Sequence, residues 1–235
     1  MTCGTDNSPT VAEYAMYMML ALCKLGARMD SLPRQGRWAE RYDELNTELL
    51  GKTLLIVGFG RIGTRVAKRC LAMDMSVEVY DPYVSAEAVR AAGCRPVADL
   101  DAALPRADFV TLHCPKTKET AGMFDAARIA KMKPGARLIN TARGGIVDEA
   151  ALLAALAAGK LAGAGIDVFS PEPPLTDNPL FTLKNVIVAP HMAGNSRESL
   201  DRKSLTVVRN LLSVLDGAPR TEYVVNPEAL QARRS

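Results

Sequence analysis

Three glycines and an acid set the first chemical constraint. Gly58-Phe59-Gly60-Arg61-Ile62-Gly63 follows the apolar run Leu54 to Val57 at once, and Asp81 closes a second apolar run, Val77 to Tyr80. A diphosphate has to be met by backbone at close range. Gly58 permits a tight turn, Gly60 lets the main chain approach the anion, and Gly63 lets the next helix pack closely on the preceding strand. The N–H groups at that helix start face the phosphates, and the helix dipole favours negative charge there. A carboxylate about 20 residues beyond the turn accepts hydrogen bonds from a ribose 2′-OH and repels a 2′-phosphate, so Asp81 favours NAD over NADP. Pro82 and Tyr83 supply no guanidinium for such a phosphate.

A second polar set stands at the ends of later apolar runs. Asn140-Thr141-Ala142-Arg143-Gly144-Gly145 follows one run, Asp167 sits in the next, Glu172 lies in the loop after it, and His191 follows the last. Ligands on open parallel sheets bind outside the carboxyl ends of the strands, so these residues gather beside the redox end of a dinucleotide. Hydride transfer to a carbonyl needs such a set. The planar fork of Arg143 can hold a substrate carboxylate and polarise its carbonyl. His191 can give the forming alkoxide its proton, and Glu172 beside the imidazole would orient it and favour its charged form. His113, the only other histidine, is read as structural or as a cofactor-adjacent backbone position. No base is placed for Cys114, which excludes it as a nucleophile.

The elements that must position these groups alternate. Leu54 to Val57 is too short for a helix and right for a strand buried on both faces. A helix is expected over Ile62 to about Met73, then a strand to Tyr80 and a helix over Ala86 to Ala92. A short strand at Arg95 to Val97 and a helix over Asp99 to Leu104 follow. Asp108 to Leu112 reads as a strand, Asp125 to Met132 as a helix stopped by Pro134-Gly135, and Ala136 to Asn140 as a strand. Asp148 caps a helix to Ala158 with Gly159 at its end; Ala164 to Val168 and Val186 to Ala189 are strands; Asn195-x-x-Glu198 opens a last helix ending near Gly217. This order predicts an α/β, Rossmann-type doubly wound parallel sheet spanning residues 51–190. Ahead of it, residues 1–9 read as a loop. Thr10 to Glu13 has capping-box spacing and opens a helix from Val11 to about Met29 that is apolar on nearly every side. So greasy a helix needs covering all round, by a second domain or a second subunit. Residues 31–50, with Trp38, read as an extended arm with short helical pieces, and a dimer contact is expected there.

Composition narrows the classes. With 48% hydrophobic residues in 235, a sizeable core is affordable and disorder is not indicated. A net charge of +3 with scattered basic residues argues against nucleic acid. Cys3, Cys23, Cys70, Cys94 and Cys114 are odd in number and lack CxxC pairs, which reads as free thiols in a reducing compartment and no metal framework. The longest apolar run, Tyr14 to Cys23, is too short to span a bilayer and follows no basic segment, so a cytoplasmic protein is expected.

The motifs in order are Gly58 to Gly63 with Asp81, His113 to Thr120 (HCPKTKET), Asn140 to Glu149 (NTARGGIVDE), Gly165 to Pro174 (GIDVFSPEPP) and Pro190 to Gly194 (PHMAG). Together they resemble the D-isomer-specific 2-hydroxyacid dehydrogenases. The resemblance implies an NAD-dependent oxidoreductase interconverting a D-2-hydroxy acid and a 2-oxo acid, with Arg143, Glu172 and His191 catalytic. It places Gly58, Gly60, Arg61, Ile62, Gly63 and Asp81 on the cofactor's adenosine and diphosphate side. Cys114, Thr141, Ala142, Asp167 and Gly194 complete the cofactor set, with Asp167 bonding the carboxamide. It implies an interdomain helix and dimer arm over residues 1–50, a homodimer, and a substrate-domain helix and tail over residues 191–235. A second lobe ahead of Met1 would close over the site in the family, so this chain is expected to bind NAD(H) and turn over poorly. Ser170 departs from the acid common in relatives. A non-catalytic NAD(H)-binding or dimerisation module, like the dehydrogenase-related corepressors, stands as the alternative.

Overall fold

The computed structural model describes residues 1–2, 6–226 and 228; Cys3 and the tail expected at 229–235 lie outside the described residues. The strands are β1 (Thr53–Val57), β2 (Ser76–Tyr80), β3 (Arg95–Pro96), β4 (Phe109–Leu112), β5 (Ala136–Asn140), β6 (Leu161–Ile166) and β7 (Val186–Val188). They form one sheet in the order β3-β2-β1-β4-β5-β6-β7, and every neighbouring pair is parallel. The order reverses between β1 and β4, which opens the crevice of a doubly wound Rossmann sheet at the carboxyl ends of those two strands.

The sheet is covered on both faces because its strands are apolar on both. Leu55 and Val57 join Val110, Leu112 and Leu138 in one core, under α5 (Leu100–Ala103), α6 (Ala126–Lys131) and α7 (Glu149–Ala157). Leu54 and Ile56 point the other way, with Val77, Val79, Phe109 and Ile139, under α1 (Ser8–Cys23) and α3 (Gly63–Leu71). That alternation is the period-2 geometry of a strand read from both sides. Between β2 and β3 lies α4 (Ala86–Ala91).

Several boundaries differ from the sequence reading, each for a local reason. The first helix begins at Ser8, with Pro9 in its first turn, and not at Val11. Proline suits that turn because its missing N–H has no helical partner there. Thr10 therefore caps nothing; its hydroxyl lies 3.3 Å from the Ser196 Oγ. The same helix stops at Cys23, because Leu25 takes a left-handed conformation (φ 50) that starts a separate helix α2 (Gly26–Arg34). In β6 the strand starts at Leu161, three residues early. Its glycines make room for α1: a Cβ on Gly165 would lie 2.9 Å from Met18, and one on Gly163 3.0 Å from Leu22. The strand also ends at Ile166, so Asp167 follows β6 and does not lie within it. The last helix, α8 (Arg197–Leu215), is capped by Ser196, whose Oγ accepts the Ser199 N–H, one residue past the expected Asn195.

The arm and α8 are the least covered parts. Trp38 is 64% exposed, with the Arg41 guanidinium 5.5 Å from its ring centroid. In α8 the buried side chains are polar, Ser199, Thr206 and Asn210, while Leu205, Leu211 and Leu215 face out. Asn210 donates to the Thr2 carbonyl and Arg202 to that of Asp6, so hydrogen bonds anchor this helix.

Candidate active site

The glycine turn is shaped by atoms that are missing. Gly58 has φ +96, and a Cβ there would sit 2.6 Å from the Cys114 nitrogen. A Cβ on Gly63 would lie 2.2 Å from the Gly58 carbonyl oxygen, which is why the start of α3 can press onto the turn. Around Gly60 there is open space, with no atom within 4 Å of where a Cβ would be. Asp81 completes the turn from the end of β2: its Oδ2 accepts the Phe59 N–H at 2.7 Å and its Oδ1 the Tyr83 N–H at 2.9 Å. Each carboxylate oxygen keeps a further lone pair for a ribose hydroxyl. Gly58, Gly60, Asp81 and Cys114 line a cavity of about 270 Å³. Arg61 is exposed and does not line this cavity.

A second cavity of about 690 Å³ continues past Cys114 along the strand ends. Ile62, Thr141, Ala142, Arg143, Asp167, His191 and Gly194 line it. Two buried polar atoms in its wall have no hydrogen-bond partner among the described residues, Thr141 Oγ1 and His113 Nδ1. Burial holds His113 near pKa 3, so its ring is neutral, and Nε2 pairs with Thr111 Oγ1 at 3.0 Å. Burial also pushes the Cys114 thiol up to about 11, which keeps it a thiol and no nucleophile.

Backbone amides held by side chains build the rest of the site. Asn140, at the end of β5, accepts the Ala142 N–H and donates to the Arg143 carbonyl, which turns the chain so that Arg143 faces the cavity. Asp167 is 1% exposed; its two oxygens accept the Met192 and Ala193 N–H groups, and its carbonyl accepts that of His191. Burial raises its carboxyl pKa against the pull of those amides. This grip holds His191 in a left-handed backbone conformation, φ 55. The imidazole Nδ1 lies 2.8 Å from Glu172 Oε2, and Glu172 Oε1 accepts the Phe169 N–H at 2.9 Å. A carboxylate accepts here, so Nδ1 carries the proton and Nε2 is left for a substrate. Burial pushes the Glu172 carboxyl up, but the Phe169 amide and His191 outweigh it and the pKa falls below the ordinary value.

Open space over Gly60, a carboxylate at the expected spacing beyond the turn, and unpartnered polar atoms in the second wall fit a dinucleotide lying across both cavities. The matching family model is "D-isomer specific 2-hydroxyacid dehydrogenase, NAD binding domain", over residues 16–193. The chain belongs to that family. Its sheet is the NAD-binding domain of these dehydrogenases. A D-3-phosphoglycerate dehydrogenase of Archaeoglobus fulgidus is 42% identical over 213 residues, 91% of this chain and 40% of that protein. A 2-hydroxyacid dehydrogenase from Polaromonas superposes with a TM-score of 0.87 at 28% identity, covering 94% of this chain and 69% of that one. D-lactate dehydrogenase from Aquifex aeolicus, solved with NAD and lactic acid, gives 0.81 at 37% identity, covering 90% and 68%. The chain thus spans about two fifths of the length of the curated relative it matches.

Cavity residues that sequence reasoning passed over come from outside the motifs. Asn7, Val11 and Asn195 line the larger cavity, and the Asn7 amide lies where a Cβ on Gly194 would meet it at 2.8 Å. Only a long-range contact brings Asn7 there, so no local pattern marks it. Glu172 lines neither cavity and reaches the site through His191.

Proposed function

We propose that this site carries the NAD-dependent interconversion of a D-2-hydroxy acid and a 2-oxo acid, with Arg143, Glu172 and His191 as its catalytic residues. The observation that carries the reading is the Glu172–His191 contact at 2.8 Å, with Nε2 left toward the cavity that Arg143 and Asp167 line. When bound, the nicotinamide supplies or accepts the hydride. In the reducing direction Arg143 holds the substrate carboxylate and draws electron density toward the carbonyl oxygen. His191 delivers its Nε2 proton to that oxygen. Glu172 keeps the ring oriented and offsets the charge of the imidazolium. In the oxidising direction His191 takes the hydroxyl proton back.

Asp81 supports NAD over NADP, since the 2′-hydroxyl is where its charge is felt. Residues 1–50 are assigned to an interdomain helix and dimer arm, and 191–235 to a helix and tail that pack on a substrate domain. The exposed Trp38 and the leucines of α8 support those assignments and a homodimer. Among the described residues no helix is long and apolar enough to cross a membrane, and the four described cysteines are free, which supports the cytoplasm.

The test is NADH oxidation with glyoxylate or hydroxypyruvate, measured beside NADH binding. His191→Gln should lower the rate by about 10²–10⁴-fold, the usual contribution of a general acid, while binding holds. An unchanged rate removes His191 from its role.

A further inference from the structure

We propose that Glu149 is a positioning residue whose carboxylate fastens the proline-rich loop at Ser170 and Asn178 and thereby presents Glu172 to His191. The proposal deepens the catalytic reading above and rests on it.

Glu149 opens α7, directly after its cap. Asp148 accepts the Ala150 and Ala151 N–H groups, and Leu152 and Leu156 are buried beneath, so the helix start is a fixed base. From that base Glu149 Oε1 accepts the Ser170 N–H at 2.7 Å, and Oε2 accepts from Asn178 Nδ2 at 3.3 Å. The two grips fall on either side of Glu172. Asn178 in turn accepts the Leu180 N–H, and Leu180 is buried, so the second grip reaches the core.

The two carboxylates grip successive peptides on either side of Phe169. The Phe169 N–H goes to Glu172 and the next N–H, that of Ser170, goes to Glu149. On its other side the Phe169 carbonyl oxygen would lie 1.7 Å from a Cβ on Gly144, so that peptide is wedged against the Arg143 turn. Between the two grips, residues 171–173 and 175–177 are exposed. A loop so open has few other ways to hold one shape. An acid in a first helical turn also stabilises its own helix. That role would leave Glu172 untouched, and the two roles therefore separate by experiment.

The measurement is a 13C NMR titration of the Glu172 carboxyl in the full chain without cofactor, its signal assigned by loss in Glu172→Gln. The charged groups facing Glu172 are His191, Arg143 and Asp167, none of which the substitution removes. In Glu149→Ala the Glu172 midpoint should rise toward that of an ordinary glutamate. Exchange of the Phe169 amide should quicken on the order of tenfold, the size expected when a hydrogen bond to a charged group is lost. Protection of Leu152 within α7 should hold. Glu149→Gln, which keeps one acceptor for Ser170, should fall between. A Glu172 midpoint unmoved in Glu149→Ala overturns the proposal. His191→Gln distinguishes its failure from that of the site: if that variant leaves Glu172 unmoved, the acid–imidazole pairing is what fails.

Discussion

The two halves of the sheet build their shares of the site by opposite means. Around β1, α3 and β2 the shape comes from side chains that are absent. Gly58 and Gly63 let strand, turn and helix close to distances that a single methyl would forbid. Around β5, β6 and β7 it comes from carboxylates and an amide that reach for backbone N–H groups: Asn140, Asp167, Glu172 and Glu149. The first half recognises a group common to all dinucleotides and needs little but backbone. In the function proposed above the second must hold three side chains to a reacting centre, and its loops are tied by charged acceptors, which make the stronger hydrogen bonds.

The comparison breaks most visibly at Gly58. Gly58→Ala combines a left-handed backbone with a 2.6 Å contact to main chain, and should cost on the order of 4 kcal/mol in urea unfolding. A loss under about 1 kcal/mol would show that the turn yields, and that missing atoms do not define it. On the other half, Asp167→Ala leaves the Met192 and Ala193 amides without their acceptor. About 3 kcal/mol of destabilisation is expected, with NMR changes confined to residues 190–194; wild-type stability would dissolve the contrast.

His113 lies on the seam, lining both cavities, and tests it by pH. As a residue it keeps some exposure, but its Nδ1 has none. Its pKa near 3 lies below the ordinary 6.5. The unfolded chain therefore binds the extra proton first, and stability must fall as pH drops from 6.5 toward 3. The slope from this group is at most about 1.4 kcal/mol per pH unit. His113→Asn should flatten that part of the acid unfolding curve, and an identical curve would place the ring in water. The smallest effect is expected at Asp81, the carboxylate on the glycine side. Asp81→Ala should weaken NADH binding about fivefold and narrow the preference over NADPH. An unchanged ratio of the two affinities would take cofactor choice away from Asp81.

The same contrast explains what could be read from the chain. The glycine turn is local: strand, turn, helix and acid fall between Thr53 and Asp81, and each leaves a mark in composition. The strand-end rule located Arg143, Asp167 and His191, which the larger cavity does bring together. Grips across long separations were illegible. Nothing near Asp167 in sequence announces that it will hold Met192 and Ala193, and nothing near Asn7 places it over Gly194. Helix starts were also misplaced, by one to three residues. Thr10 and Asn195 each offered a plausible cap, but Pro9 in the first turn and the Ser196 hydroxyl on the Ser199 N–H mark the starts instead. The glycines of β6 weakened a strand signal that the close approach of α1 makes necessary.

His191 sets backbone strain against the reactivity proposed for it. A side chain in the left-handed region carries a penalty of about 1–3 kcal/mol that glycine escapes. Exchange of this imidazole for a hydrogen atom is therefore a downhill step for the backbone and, in the role proposed for His191, a ruinous one for proton transfer. A lineage freed from selection for turnover would have that step open to it, and a screen for thermal hardiness alone would reward it.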